Sequence, residues 1–209
     1  MLLSACLGAP VVRSGQSICE LADVGAAPAG PAPVVTGIVV RRRGRPPAWV
    51  AWPDVERIEP RAVVLASWAD LRPVPAVVLL ARDVLDAQLL DLAGRRVVRV
   101  GDLELQVTDH RATVEHVEVG LDSVLWRLGL RRLSAHAPRH TIPWRDVHLP
   151  VHPGAALTLD TAAPALAQLS TAERTRLAAR LPPRATRVPR HLIPHRFPTH
   201  VLRRRRATR

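Results

Sequence analysis

The sequence predicts a mainly β protein built from two copies of one unit, followed by a short helical segment and an irregular basic tail. Three observations predict it. Residues 49–60 (WVAWPDVERIEP) and 141–150 (TIPWRDVHLP) share an apolar pair leading into Trp-x-Asp-Val, then an apolar exit and a proline. Upstream of each, Gly15, Ile18, Leu21, Asp23 and Val24 match Gly94, Val97, Val100, Asp102 and Leu103 at one constant offset. The segments around both blocks are rich in β-branched residues, and several alternate polar with apolar, the period of a half-buried strand. Two matching blocks in the same order imply a duplicated unit of about 65–75 residues, and such self-similarity outranks local propensity.

The first unit is assigned to residues 1–75. Leu3-Ser4-Ala5-Cys6 looks like a lipoprotein cleavage box, but no positive n-region precedes it and the apolar stretch is far too short. It is expected to start a strand. Residues 7–24 read as a strand, a turn at Ser14-Gly15 and a returning strand, with glycine supplying the left-handed backbone. A Gly/Ala/Pro loop at 25–33 leads to the β-branched strand 34–41. Arg41 to Pro47 (RRRGRPP) is a basic turn, Trp49–Trp52 a strand, and 61–66 one more strand.

The second unit is assigned to residues 76–153. Residues 82–92 mix helical and strand signals before a turn at Ala93-Gly94. Along 95–107, Leu103, Leu105 and Val107 alternate with Glu104 and Gln106, and 112–119 alternates again. Residues 120–140 form an insert with helical apolar spacing, and Trp144-Arg145-Asp146-Val147 closes the unit. Residues 154–181 turn Ala/Leu-rich and helical, with Ser170 placed as a cap and Glu173 in the first turn. Residues 182–209 show Arg runs and five prolines without helical or strand period, and are expected to be disordered.

Composition bounds the function. All 30 basic residues are arginine, and the formal charge is +12. Residues 182–209 hold 9 arginines and no acid, so the other residues carry 21 arginines against 18 acids, a net +3. The high pI thus describes a tail, and a nucleic-acid reading rests on that appendix. Cys6 and Cys19 show no CxxC or framework spacing, so reduced thiols are the default. No apolar run approaches the ~20 residues that span a bilayer.

Several residues invite chemistry. His136/His140, His148/His152 and His191/His195 recur at spacing four, but prolines interrupt the helices that would align them on a metal. Asp54 and Asp146 could be paired acids, yet their identical place in two copies favours a turn role. Trp52 and Trp144 read as core or rim. No phosphate loop, nucleophile elbow or Cys/His dyad occurs, so a non-enzyme is expected. Gly15, Asp23, Trp52, Asp54, Gly94, Asp102, Trp144 and Asp146 then form a structural repeat signature. Arg41, Arg42, Arg43 and Arg45, with Arg127, Arg131 and Arg132 in the second unit, are the candidates for an anionic partner such as lipid headgroups or RNA. With one Phe and no Tyr, stacking on single-stranded RNA is disfavoured.

The block from Leu90 to Leu103 (LDLAGRRVVRVGDL) resembles a PRC-barrel unit: an apolar strand, a turn around Asp and Gly, and a second strand ending in an Asp-apolar pair. The Trp-x-Asp-Val segment is similar to that family's closing strand. One departure is that the family's second glycine is replaced by Cys19 in the first copy and Val98 in the second. The resemblance implies two small β-barrels in tandem. Followed by LSTAERTRLAARL, the pair resembles the cytosolic N-terminal region of MgtE-type magnesium transporters, with residues 154–181 as the start of that family's helical N domain. In that family CBS domains and a membrane channel follow, so a truncated transporter region is implied, and a frame change would account for the Arg/Pro-rich tail. The implied function is non-enzymatic: regulatory contact with a protein partner or adjacent transporter domains, in the cytoplasm or at the inner face of the membrane. Nucleic acid is expected to bind only non-specifically, through the tail. Mg²⁺ enters only through the transporter context; no metal ligand carries over, because the family's sensing acids lie mostly in its other parts. The alternative is a ribosome-maturation-like adaptor binding ribosomal protein or RNA, since PRC barrels occur there too.

Overall fold

Alternating and β-branched segments become strand almost throughout the computed structural model, which describes residues 1–29, 31–108, 111–120, 140–148 and 169–180. The described chain is mainly β, with a curled sheet and few helices. A four-residue helix, α1 (Leu3–Cys6), precedes the hairpin β1 (Pro10–Arg13) and β2 (Gln16–Ala27). Ser14 and Gly15 both take positive φ, 50° and 78°, so a two-residue turn matches the strand twist. Strands β3 (Val34–Arg41) and β4 (Ala48–Ala51) follow, then a 3₁₀ turn at Trp52–Asp54, β5 (Val55–Glu59) and β6 (Ala62–Leu65).

The second set begins with the short β7 (Val78–Leu79) and a π turn at Leu80–Val84. It continues through β8 (Gln88–Asp91), β9 (Arg96–Arg99), β10 (Asp102–Thr108), β11 (Arg111–Glu118) and β12 (Thr141–Pro143). A 3₁₀ turn at Trp144–Asp146 leads to β13 (Val147–His148). The helix α2 (Thr171–Arg180) follows. The main sheet runs β10-β11-β3-β2-β1-β6-β5, with β12 on β11, β4 on β3 and β7 on β2; a second sheet runs β13-β8-β9.

The two sets share a hydrogen-bond register, at the offset of 79 that relates Gly15 to Gly94. Val24 pairs with Ile38 as Leu103 pairs with Val117, and Gly25 with Gly37 as Glu104 pairs with His116. One residue later each ladder slips at a bulge, which leaves Thr36 and Glu115 without a partner in register. Ahead of the strands, Gly8 N–H donates to the Leu21 carbonyl and Leu21 N–H to Ala9, while Asp86 N–H donates to Val100 and Val100 N–H to Ala87. Gly8 and Asp86 both have positive φ, 81° and 64°. The π turn holds five residues where α1 holds four, so it absorbs one inserted residue.

One cluster of buried apolar side chains runs through both sets, from Leu3, Val11 and Ile38 to Leu89, Leu103, Trp144 and Val147. Most of the stabilising burial is therefore shared between the halves. A smaller cluster joins α2 to the second sheet through Leu169 and Leu177 against Leu90 and Leu92. Ser170 caps α2 as expected: its Oγ accepts the Glu173 N–H at 3.3 Å, and Glu173 Oε2 accepts the Ser170 N–H at 3.0 Å. The Ser170 N–H and the Ser170 hydroxyl, which donates to Glu173 Oε2 at 2.8 Å, hold the Glu173 carboxyl below its usual range, with Arg95 beside it adding to the effect.

Four expectations change. Leu3–Cys6 is a helical turn, not a strand start, because Asp102 accepts hydrogen bonds at its N-terminal end. The loop read at 25–33 starts later, because β2 continues through Ala27 in pairs with β3 and β7. In the turn at Ala93-Gly94 the left-handed residue is Arg95, φ 47°, not the glycine. Gly94 instead donates its N–H to Asp91 Oδ1 at 2.7 Å, where a Cβ would run into the Asp91 carboxylate. Val107, at the open end of β10, is exposed, whereas Leu103 and Leu105 are buried. The helical insert, most of the 154–181 segment ahead of α2 and the tail 182–209 lie outside the described residues.

Candidate functional site

Asp23 and Asp102 occupy one structural position twice. Ala22 is the bulged residue where β2 slips against β3, and its counterpart Gly101 is where β9 and β10 part company. Each following aspartate is thereby turned inward and buried, and each first caps its own successor: Val24 N–H to Asp23 Oδ1 at 2.7 Å, Leu103 N–H to Asp102 Oδ1 at 2.8 Å. The remaining bonds cross between halves. Asp23 accepts Ala81 N–H at 2.7 Å and Arg82 N–H at 2.9 Å, in the π turn that opens the second set. Asp102 accepts Ser4 N–H at 3.1 Å and the Ser4 hydroxyl, in α1 that opens the first. The adjoining strands cross likewise: β7 pairs with β2, while Leu2 bridges Glu104 and the Met1 carbonyl accepts the Leu105 N–H. Each half thus holds the leading segment of the other.

Burial pushes the Asp23 carboxyl up to about 6, against the opposing pull of its three backbone donors, and Asp83 nearby adds to the rise. The two thiols are buried as well. Burial pushes Cys6 up to about 11 and raises Cys19, so both are held as unreactive thiols.

The other repeated residues are also structural in placement. Trp144 is fully buried, while Trp52 is half-buried against the same cluster. Asp54 and Asp146 end equivalent 3₁₀ turns, and the contact each makes is through its carbonyl, which accepts Ala66 N–H and Leu92 N–H respectively, both at 2.9 Å.

The arginine turn builds a different kind of site. Arg41 ends β3, Gly44 takes φ 71°, and Arg45 N–H closes on the Arg42 carbonyl at 3.1 Å. Pro46 and Pro47 then lead into β4. Across from this turn the chain of 71–74 straps back over β4: Trp49 and Arg72 exchange N–H···O bonds at 2.7 and 2.9 Å. Between turn and strap lies a groove of about 790 Å³. Arg41, Arg42, Arg45 and Arg72 rim it, and Val39, Val74 and Leu79 form its apolar floor. A second recess of about 700 Å³, on the β2 side, shares Arg41, Arg42 and Arg45 and adds Arg43.

All five of those arginines are exposed, and none forms an ion pair among the described residues. Glu20 stands opposite Arg41 in the ladder and Asp23 lies at the groove's inner edge, its carboxylate already taken by backbone donors. Arg82, also at the groove, is bound through Nε and Nη2 to Asp83. The sequence pointed to Arg41, Arg42, Arg43 and Arg45 but missed Arg72, whose place depends on the strap folding back. Arg127, Arg131 and Arg132 lie outside the described residues.

Trp49 was also missed as an organising residue. Its ring covers the Gly25–Gly37 pair, where a Cβ at either glycine would overlap it, and it forms the base beneath the groove floor with Val39 and Leu79. Gly37, alone among the β-branched residues of β3, was the available signal. Of the spaced histidines, His140 lies against Arg96 Nη2 at 2.6 Å, while His136, His152, His191 and His195 lie outside the described residues. Among the described residues no helix is long and apolar enough to cross a membrane. Compared with known proteins, the chain matches no family model, no curated protein and no solved structure.

Proposed function

We propose that this chain is a non-enzymatic interaction module of two PRC-barrel-like units, working as the cytosolic N-terminal region of MgtE-type transporters does, through contact with a protein partner or adjoining transporter domains. The observation that carries the reading is the division of labour among charged groups. Asp23 and Asp102 are consumed in holding the halves together, whereas the exposed arginine side chains of the 41–47 turn make no ion pair or side-chain hydrogen bond among the described residues. Charges left unneutralised at a preformed surface suit recognition of another molecule. The test is co-sedimentation of the purified chain with membranes containing an MgtE-type transporter, together with a thermal melt across a Mg²⁺ titration. Retention on transporter membranes, changed by Mg²⁺, supports the module; equal retention on membranes lacking the transporter, with a melt indifferent to Mg²⁺, refutes it.

The same arginines favour a second reading, a ribosome-maturation-like adaptor. Ribosome co-sedimentation at moderate salt separates the two, with residues 182–209 removed so that nine tail arginines do not bind every polyanion.

A further inference from the structure

The groove beside the arginine turn combines two chemistries: guanidinium groups around its edge and an apolar base. We propose that it binds an acidic peptide segment, lying across Arg42, Arg45 and Arg72 with an apolar side chain seated on Val39, Val74 and Leu79. This rests on the interaction-module reading and names the partner's chemistry.

Charge complementarity selects the acid. Arg41, Arg42, Arg45 and Arg72 are exposed and make no ion pair among the described residues. A guanidinium offers a planar fork of donors that a carboxylate fits in bidentate fashion. The base selects the apolar residue. Val39 and Leu79 are buried by the protein itself apart from the face they turn to the groove, and Val74 is half-buried. The recess of about 790 Å³ is the size of a ligand site, larger than one side chain needs. Pro46, Pro47 and Pro73 stiffen its walls by fixing backbone φ, so little ordering is left to occur on binding.

Other polyanions fit less well. A single-stranded nucleic acid adds base stacking on aromatic rings to its phosphate contacts, and no aromatic ring lines this groove: Trp49 is covered against Gly25 and Gly37, and the exposed Trp68 lies outside the lining. A membrane surface could reach the arginines but not a recessed base.

The test uses the full chain and a fluorescein-labelled peptide of alternating Glu and Leu, with anisotropy read at physiological ionic strength. The controls are a Glu/Ser peptide, phosphatidylserine vesicles and oligothymidine. The expected result is saturable binding of the Glu/Leu peptide that weakens roughly tenfold or more in Arg42→Glu/Arg45→Glu. Val74→Ser weakens it too, and the Glu/Ser peptide binds less tightly than the Glu/Leu peptide. The tail arginines are common to every protein compared, so the difference isolates the groove. The arginine variants sit on an exposed turn, and an unchanged melting temperature checks their folding. Equal affinity of wild type and Arg42→Glu/Arg45→Glu overturns the proposal. So does equal affinity for the Glu/Ser peptide, or tighter groove-dependent binding of vesicles or oligothymidine. A chain that fails here yet is still retained on transporter membranes keeps the module reading and loses only this site.

Discussion

The Gly25–Gly37 pair of the first half and the Glu104–His116 pair of the second stand at the same ladder position, and they are filled in opposite ways. In the first half two glycines clear a floor for Trp49, which lies across both. In the second half Thr141 stands at the ladder position of Trp49, and the paired strand positions carry side chains of their own, with His116 Nδ1 3.1 Å from Glu104 Oε2. One half thus has a large ring over bare backbone where the other has a polar side-chain pair. The two ladders thus share register and bulge while the surfaces above them differ, and the groove lies in the half that carries the tryptophan.

The hairpin turns diverge in the same manner. Ser14-Gly15 closes the first with two left-handed residues. The second spends a longer loop, in which Asp91 accepts the Gly94 N–H and binds Arg96 Nε at 2.9 Å. Both solutions bring the returning strand back on course, so Cys19 faces Val11 and Val98 faces Leu89 in ordinary ladder pairs.

The two halves are expected to differ most in stability at the repeated tryptophans. Trp144→Ala empties a fully buried site and is expected to destabilise by about 3–5 kcal/mol, whereas the half-buried Trp52 gives well under that when truncated. Urea midpoints of the two variants measure the gap, and equal losses would show that the copies share burial as well as register.

Next in size is the pH response of the first cross-half carboxylate. Folded Asp23 keeps its proton up to about pH 6, while the free carboxyl titrates near 3.8. Between those values the folded state binds more protons, so stability falls as pH rises from about 4 to about 6, by on the order of 3 kcal/mol, then levels off for this group. Asp23→Asn flattens that slope, while surrendering the acceptor for the Arg82 N–H. Chemical unfolding of both proteins across this pH range measures it; parallel curves would remove Asp23 as the source.

The glycine floor gives a sharper, smaller contrast. Gly37→Ala drives a methyl group into the Trp49 ring and the Val50 carbonyl, for a loss of about 1–3 kcal/mol, and Trp49→Ala in the same chain recovers part of it as a coupling energy. A double-mutant cycle by thermal melting measures that coupling, and strict additivity would deny the packing argument. The smallest effect is expected at Ser4→Ala, about 1 kcal/mol, because it removes one hydroxyl bond to Asp102 and leaves the Ser4 N–H bond in place.

Much of the strand pattern was legible because it is local. Alternation and β-branching mark β3, β10 and β11, and Ser170 with Glu173 announces the start of α2 through a cap that forms within four residues. The repeat was legible for a related reason: the same ladder needs the same inward residues. Leu3–Cys6 was misread because nothing in its own sequence makes it helical; the Asp102 that holds it is 98 positions away. Arg72 was invisible for the same reason, since its position beside Arg42 and Arg45 depends on the strap pairing with Trp49.

Local chemistry and side-chain period alone set the mainly β character, the recurrence of the same short blocks, strands such as β3, β10 and β11, and the crowding of arginines at one turn. The folded chain alone reveals that Asp23 and Asp102 bind across to the other half, and that the arginine turn faces an apolar recess. Those outcomes depend on which distant backbone donors a buried carboxylate meets and on how the connecting strap returns, and no local pattern encodes either.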